Sequence, residues 1–176
     1  MAYAVSGEAG VEDSFDHLFL REYARVAGIA YRVVGDADEA EDIAQEVFCS
    51  FYRRHSPDAP YAASWLYRAA SHAALNAIRG KRRRTLRETA VEAYRERVGE
   101  ETDPADAVES AERRQELRHA LARLPEKSAS VLILRYSGLS YAEIAVALGV
   151  STGQIGTLLR RAEAALKKEM IHATPR

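Results

Sequence analysis

The chain has 176 residues, 47% of them hydrophobic and 29% charged, a composition typical of a soluble protein that buries a core. Its formal net charge of -1 excludes a bulk electrostatic attraction of the whole molecule to nucleic acid. The single cysteine, Cys49, excludes an internal disulfide and fits a reducing compartment. The N-terminus lacks the basic start and apolar run of a secretory signal, and no apolar stretch approaches the ~20 residues that span a bilayer. We therefore expect a cytoplasmic protein without membrane insertion.

Charge is distributed unevenly along the chain. Residues 1–78 carry 12 acidic against 6 basic groups, whereas Arg79 to Arg87 holds 6 basic groups and no acid. Residues 124–176 hold 7 basic groups against 4 acids. This polarity predicts one surface for an anion and a separate surface for a different partner.

Helical spacing of apolar residues dominates the N-terminal half. It predicts a first helix over Phe15–Val34, which stops at Gly35-Asp36, and a second from about 36–38 to Arg54. The segment "HSPDAPYAAS", residues 55–64, holds two prolines and is predicted to be a loop. A third helix is expected from Ser64 to about Arg79. Short connections would let these three helices form a bundle.

The C-terminal half has the same helical character after a break. Residues 84–102 are charged and poorly periodic, which indicates a linker with at most transient helix. Further helices are predicted over 104–122, 125–136, 140–148 and 152–169, separated by Pro125, Gly138 and Gly149. The expected architecture is all-α, with two small helical domains, 1–84 and 104–176, joined by a flexible linker over 85–103.

The last two of these helices have the pattern of a helix-turn-helix unit. On a helical wheel, Ser151 is placed as the N-cap of the final helix. Its core face consists of Ile155, Leu159, Ala162 and Leu166, and its outward face of Gly153, Thr157, Arg160, Arg161, Ala164 and Lys168. The apolar side of the preceding helix is assigned to Tyr141, Ile144, Ala145 and Leu148. An ordinary helical hairpin with solvated arginines remains the alternative.

The second helix, "DEAEDIAQEVFCSFYRR", is sharply two-faced. Its apolar residues are Ile43, Ala44, Val47, Phe48 and Phe51, and its polar residues are Asp42, Gln45, Glu46, Cys49 and Arg53. Taken alone, the polar face is most simply a solvated surface. A paired-carboxylate active site is disfavoured because no nucleophile or metal ligand stands nearby.

The third helix, "SWLYRAASHAALNAIRGKRRR", carries a mixed stripe at helical spacing: Trp65, Arg68, His72, Asn76 and Arg79. The stripe runs into four consecutive basic residues, 81–84. An aromatic ring among cations and hydrogen-bonding groups suits a phosphate backbone with stacked or captured bases. The alternative is that Trp65 belongs to the core and the basic run is a solvated helix end. The histidines show no ligand spacing, so no metal is predicted, and no motif indicates a cofactor.

The two halves together resemble the extracytoplasmic-function sigma factors, the smallest sigma-70-type bacterial transcription initiation factors. The resemblance covers roughly residues 15–168. It rests on "GDADEAEDIAQEVF", "SWLYRAASHAALNAIRGKRRR", "LARLPEKSASVLILRYSGLSYAEIAVALGVS" and "RRAEAAL", whose order and spacing together are highly specific.

The resemblance implies a non-enzymatic protein with a region-2 domain, a linker and a region-4 domain. Such a protein binds core RNA polymerase, through its clamp helices and flap, and promoter DNA. The implied polymerase-docking residues are Asp42, Gln45 and Glu46, with Phe48 behind them. The implied minus-10 residues are Tyr61, Trp65, Arg68, His72, Asn76, Arg79, Lys81, Arg82, Arg83 and Arg84. The implied minus-35 residues are Ser151, Thr152, Gly153, Gln154, Thr157, Arg160 and Arg161. Control by an anti-sigma protein acting in trans is also expected.

Two departures from the family pattern affect DNA reading. The family often has Asn where His72 stands, which alters the stripe expected to handle the minus-10 strand. Its recognition helix commonly reads V-K-S-R-L, where this chain has Ile155-Gly156-Thr157-Leu158-Leu159 and lacks two basic side chains. DNA shape would then supply part of the specificity. A sigma-like decoy that binds an anti-sigma protein but no promoter stays open as an alternative, as does a simple helix-turn-helix repressor.

Overall fold

The computed structural model describes residues 8–92 and 105–173 and consists, in those ranges, of α-helices connected by turns and short loops. Side chains are described for 14–85, 87 and 112–171. The seven helices are α1 (Glu8–Val34), α2 (Ala37–Tyr52), α3 (Ala62–Glu92), α4 (Ala105–Arg123), α5 (Glu126–Tyr136), α6 (Tyr141–Leu148) and α7 (Thr152–Ala173). The predicted all-α architecture of two helical units is confirmed.

The N-terminal unit is a bundle of α1, α2 and α3. The reversal between α1 and α2 uses Gly35 at φ 71°, a left-handed conformation that glycine adopts without a Cβ penalty. Asp36 then caps α2, because its Oδ1 accepts a hydrogen bond from the Glu39 N–H at 2.8 Å. Aromatic rings fill the α1–α2 contact, with Phe19 and Phe48 4.9 Å apart between centroids.

The third helix is longer than the sequence pattern predicts. It continues past Arg79 to Glu92, so residues 85–92 of the predicted linker are helical, and the rest of that linker lies outside the described residues. The prediction failed because Gly80 and the basic run resemble a helix end. Arg and Lys are in fact good helix formers, and one interior glycine costs only about 1 kcal/mol.

The C-terminal unit contains α4 to α7. In its helix-turn-helix pair, α6 ends at Gly149, whose φ of 64° lies in the left-handed region. The predicted core face of α7 is confirmed, with Ile155, Leu159 and Ala162 buried and Leu166 half-buried. One prediction for α6 is wrong: Tyr141 is exposed, and its ring lies 5.5 Å from the Arg135 guanidinium carbon.

The two units contact each other along α3, which packs against α4, α5 and α6. Buried residues of both units belong to one continuous hydrophobic cluster. The core of this structure therefore does not stop at the boundary between the two predicted domains. Over the described ranges, no individual helix is long and apolar enough to cross a membrane, and α6 with α7 meets that length and composition test only as a bent pair.

Candidate nucleic-acid and protein-docking surfaces

The polar face of α2 is presented to solvent as the sequence predicts. Asp42, Gln45 and Glu46 are all exposed, whereas Phe48 is 2% exposed and lies behind them. Because the apolar face of α2 is fully used in the bundle, the polar face is held in a fixed orientation. Beside Gln45 lies an aromatic-lined groove of about 450 Å³ that the sequence pattern does not predict, bordered by Phe15, Phe19, Phe48, Cys49 and Tyr52.

The α3 stripe, which we define as Trp65, Arg68, His72, Asn76 and Arg79, is only partly open to solvent. Arg68, His72 and Asn76 are exposed, and Trp65 and Arg79 are half-buried. The indole of Trp65 packs 4.8 Å from the His55 ring and 5.4 Å from the Phe51 ring, measured between centroids. Trp65 thus serves the core on one side and leaves its other side at the surface.

Two members of the α3 stripe touch the C-terminal unit. The guanidinium of Arg79 donates from Nε to the Ala122 carbonyl at 3.1 Å and from Nη2 to the Leu124 carbonyl at 2.8 Å. His72 Nε2 lies 3.4 Å from Glu126 Oε2. Residues predicted to contact DNA are therefore engaged with acceptor groups of the same chain.

The four basic residues after the stripe, 81–84, differ in their exposure and in their contacts. Lys81 forms an ion pair with Glu39 of α2, and Arg82 is half-buried. Arg83 and Arg84 are exposed. Tyr61, which precedes α3 at its other end, is 46% exposed.

The helix-turn-helix pair begins with a complete capping box at α6. The Glu143 N–H donates to Ser140 Oγ at 3.3 Å, and the Ser140 N–H donates to Glu143 Oε2 at 2.7 Å. The latter hydrogen bond is the main cause of a lowered Glu143 pKa. This arrangement fixes the start of the first helix of the motif.

The outward face of α7 is open along the predicted DNA-contacting positions. Ser151 occupies the N-cap position, and its N–H donates to the Gln154 side-chain oxygen at 3.1 Å. A Cβ at Gly153 would meet no atom within 4 Å, and one at Gly156 would meet only Tyr141 at an ordinary 3.9 Å. Packing within the chain therefore does not require these glycines. The exposed residues are Ser151, Thr152, Gly153, Gln154, Thr157, Arg160 and Arg161.

Replacing Ser140 with alanine is expected to lower the free energy of unfolding by about 1 kcal/mol, measured by urea denaturation. The lowered Glu143 pKa means that the carboxylate stabilises the fold above the ordinary glutamate pKa, and that this stabilisation is lost as pH falls through the lowered value. Alanine keeps the backbone N–H bond to Glu143 but removes the hydrogen bond from Ser140 Oγ to Glu143 Oε2 at 2.8 Å, so the variant loses part of this stabilisation and its difference from the parent should shrink in acid. Ser137→Ala is the matched control, because the buried Ser137 Oγ has no hydrogen-bond partner and its removal should be neutral or stabilising. Equal losses in both variants would contradict the capping role.

A polar chain that the sequence pattern does not predict links the two units. Glu22 is 7% exposed and accepts a hydrogen bond from the Tyr67 hydroxyl at 2.5 Å. Burial, followed by this hydrogen bond, raises the pKa of Tyr67 to about 12. Arg25 lies over the Tyr67 ring at 4.9 Å and pairs with Glu143 Oε1 at 2.8 Å. The available signal was Glu22 itself, an acid on the apolar stripe that contains Leu18 and Val26.

Comparison with known families finds a separate match in each of the two helical units. The model of sigma-70 region 2 matches residues 18–84, and that of sigma-70 region 4 matches residues 114–166. The first covers α2 and the α3 stripe, and the second covers the helix-turn-helix pair.

Individual relatives align over nearly the whole chain. The ECF RNA polymerase sigma factor SigW of Bacillus subtilis is 31% identical over 177 residues, covering 92% of this chain and 91% of its own. The RNA polymerase sigma-H factor of Pseudomonas aeruginosa is 31% identical over 173 residues, covering 93% and 89%. Among solved structures, CnrH in complex with the cytosolic domain of CnrY has a TM-score of 0.54 at 21% identity, covering 94% and 93%. This last likeness concerns the fold.

Proposed function

Because the chain belongs to the extracytoplasmic-function group of the sigma-70 family, we propose that it directs promoter-specific initiation by binding core RNA polymerase and two promoter elements. The family acts in transcription initiation as a regulator and leaves RNA synthesis to the polymerase. The observation that carries the proposal is the exposed face of α2, with Asp42, Gln45 and Glu46 held over buried Phe48. A simple repressor has no use for such a face.

Docking on polymerase would use this α2 face against the clamp helices. Two carboxylates at helical spacing present negative charge on a rigid support, which favours a basic partner and speeds its encounter. The C-terminal unit would contact the flap. Binding at two separated points would raise the effective concentration of each DNA-contacting surface at the promoter.

Recognition of the minus-10 element would use the α3 stripe with Tyr61 and the run from Lys81 to Arg84. Melting requires unstacking and unpairing, which costs a few kcal/mol. Stacking on an aromatic ring returns about 1–3 kcal/mol per base, and Trp65 and the exposed Tyr61 are the rings available here. The exposed Arg68, Arg83 and Arg84 would neutralise phosphates.

Recognition of the minus-35 element would use the start of α7, from Ser151 to Arg161. The capping box and the Gly149 turn hold this helix against α6, as a helix-turn-helix requires for entry into the major groove. Gly153 and Gly156 are not needed for internal packing, and the absence of a Cβ at both positions leaves room for close approach of the sugar–phosphate backbone. Base readout would fall to Gln154 and Thr157, and phosphate contacts to Arg160 and Arg161.

An anti-sigma protein is the partner proposed for control. Support comes from the solved structure of CnrH with the cytosolic domain of CnrY, which has a similar fold. This chain also has an apolar groove of about 860 Å³ where α1, α4, α5 and α7 meet. Exposed residues at the groove include Leu117, Tyr136 and Ile171, which suit an amphipathic helix.

Binding to core polymerase in the absence of DNA tests the proposed function. We expect the purified chain to capture core polymerase, and Glu46→Lys to weaken capture at least about tenfold, because reversing a charge in a complementary interface adds repulsion. Glu112→Lys makes the same change at an exposed position of α4 and should leave capture unchanged. Failure of the parent chain to bind core would overturn the proposal, and binding to an anti-sigma protein without core would establish the decoy alternative.

A further inference from the structure

A polar pocket of about 560 Å³ lies where the end of α1 meets α5, α6 and α7. Building on the sigma-factor function, we propose that this pocket binds a free ribonucleotide with two or more phosphates, and that the bound nucleotide withdraws one arginine of α7 from promoter DNA. The volume lies within the range of about 300–1,000 Å³ that is usual for small-molecule sites. The charged and aromatic residues that line the pocket are Arg32, Arg135, Tyr136, Tyr141, Arg160 and Glu163.

Three arginines supply the phosphate end of the site. Arg32 stands in the last turn of α1, Arg135 in the last turn of α5, and Arg160 on the exposed face of α7. Within the part of the chain whose side chains are described, Arg32 and Arg160 have no side-chain hydrogen bond or ion pair. Arg135 donates a long hydrogen bond of 3.4 Å to the Leu139 carbonyl. Because a guanidinium binds phosphate oxygens through paired N–H donors, these three side chains suit a ligand that carries several phosphate oxygens.

Two tyrosines supply the aromatic end of the site. The Arg135 guanidinium carbon lies over the Tyr141 ring, 5.5 Å from its centroid, so one face of that ring is covered. The Tyr136 ring is 63% exposed, and its hydroxyl donates a hydrogen bond to Glu163 Oε1 at 3.3 Å. Nucleic-acid bases stack on such rings because every base has a π face. We therefore assign the base of the ligand to the Tyr136 ring.

The carboxylate of Glu163 favours a free ribonucleotide over two other anions. In nucleotide sites an acidic side chain accepts hydrogen bonds from ribose hydroxyls, whereas the DNA backbone has no 2′-hydroxyl to donate. The same carboxylate repels a phosphate chain that runs past it. An inorganic anion would use neither this acceptor nor the Tyr136 ring. The combination of cations, an acid and an aromatic ring thus fits the three parts of a nucleotide.

Gly156 keeps the α7 side of the pocket open. A Cβ added at this position would meet only the Tyr141 ring, at an ordinary distance of 3.9 Å, so the space beside it is not filled by the chain. The family pattern given above has a lysine at this position. An open pocket here therefore coincides with one of the departures of this sequence from that pattern.

Arg160 belongs both to the pocket and to the proposed minus-35 surface. A guanidinium that holds a nucleotide phosphate cannot neutralise a DNA phosphate at the same time. The loss of one phosphate contact lowers the log–log salt slope of promoter binding by about 0.9. The two ligands then weaken each other's binding reciprocally. The nucleotide acts as a small-molecule regulator of promoter affinity.

Isothermal titration calorimetry of the full chain, without polymerase or DNA, tests the site. ADP and GDP are the probes, and we expect at least one of them to saturate the chain by about 1 mM. Pyrophosphate should bind roughly tenfold more weakly, because it cannot stack. Arg32→Ala should weaken nucleotide binding at least about tenfold, because it removes a charge-assisted contact. The matched control is Arg21→Ala, which removes an exposed arginine about three turns away on the same helix and should leave nucleotide binding unchanged.

A second measurement connects the pocket to promoter DNA. Holoenzyme binding to a duplex selected from a random pool would be followed over a range of salt concentrations, with and without the nucleotide that binds. We expect saturating nucleotide to lower the slope by about 0.9 for the parent and to change it much less for Arg32→Ala. Without nucleotide, Arg32→Ala should have the slope and affinity of the parent, because Arg32 is outside the DNA-contacting set.

Four results would overturn the proposal. Absence of binding by both diphosphates, or pyrophosphate binding as tight as theirs, would remove the nucleotide as the ligand. An equal loss of binding in Arg21→Ala would indicate a general effect of charge. Weaker promoter binding by Arg32→Ala without nucleotide would assign the pocket to DNA, and an unchanged slope with nucleotide bound would separate the pocket from Arg160. Failure to capture core polymerase contradicts only the proposed sigma function, because the calorimetry contains no polymerase.

Discussion

Replacing Phe51 with alanine is expected to lower the free energy of unfolding by about 3–5 kcal/mol, the range for deleting a buried aromatic ring. Phe51 is 0% exposed and ends the apolar face of α2. Its ring lies 5.2 Å from the His55 ring and 5.4 Å from the Trp65 ring, between centroids. Because small domains have only about 5–15 kcal/mol of net stability, we expect a large shift of the urea midpoint.

The substitution should also change the position of Trp65 at the proposed DNA-contacting surface, because the Phe51 ring packs against the buried side of the Trp65 indole. Tyr52→Ala is the matched control: it truncates an aromatic ring at the next position, where the side chain is 49% exposed. We expect it to cost no more than about 1 kcal/mol, as is usual for surface positions. Trp65 fluorescence should change in Phe51→Ala under native conditions and stay close to the parent in Tyr52→Ala. Similar losses of stability in both variants would contradict the assignment of Phe51 to the core.

Local patterns predict the parts of this protein whose environment is set within one helix. The two faces of α2 follow from the spacing of Ile43, Val47 and Phe51 against Asp42 and Glu46, and the structure buries and exposes them accordingly. The helix-turn-helix pair is predictable for the same reason. A glycine that must be left-handed and a capping residue at the next helix start are short-range signals.

The extent of α3 and the orientation of Tyr141 depend on more than local pattern. Apolar spacing marks the end of burial, not the end of a helix, so a charged extension such as residues 81–92 resembles a linker. Tyr141 has helical spacing with Ile144 and Ala145, yet it lies outside on the first turn of α6. There its ring meets Arg135 of α5, a residue that no local pattern connects to it.

Contacts between the two units are the part that sequence reasoning could not supply. Arg118 and the Val33 carbonyl are separated by 85 positions, and the acceptor is a backbone atom that any residue would provide. An arginine at the end of a solvated face has the same pattern whether it contacts water, phosphate or a helix end. The prediction that Arg79 contacts DNA relies on the affinity of a guanidinium for phosphate oxygens. The carbonyl groups at a helix C-terminus carry partial negative charge and accept hydrogen bonds from arginine equally well.

Replacing Arg160 and Arg161 together with alanine is expected to reduce the salt dependence of promoter binding by about 1.8 units of the log–log slope, since each phosphate neutralised contributes about 0.9. Both side chains are exposed on α7, beyond the turn that positions the helix. At roughly 50 mM salt the loss of two contacts should weaken binding about a hundredfold, and the deficit should shrink as salt is raised. Holoenzyme binding to a duplex selected from a random pool would measure both quantities.

Lys167→Ala is the matched control, because Lys167 is an exposed cation of the same helix that borders the apolar groove on its other side. It should leave the slope unchanged. A slope lowered equally by both variants would indicate a general effect of charge, and an unchanged slope in the arginine variant would remove α7 from the phosphate contacts. A third variant adds Gly156→Lys to the variant that lacks Arg160 and Arg161, placing a cation where the packing leaves space. We expect it to restore about half of the lost slope, because it replaces one of the two positive charges that were removed.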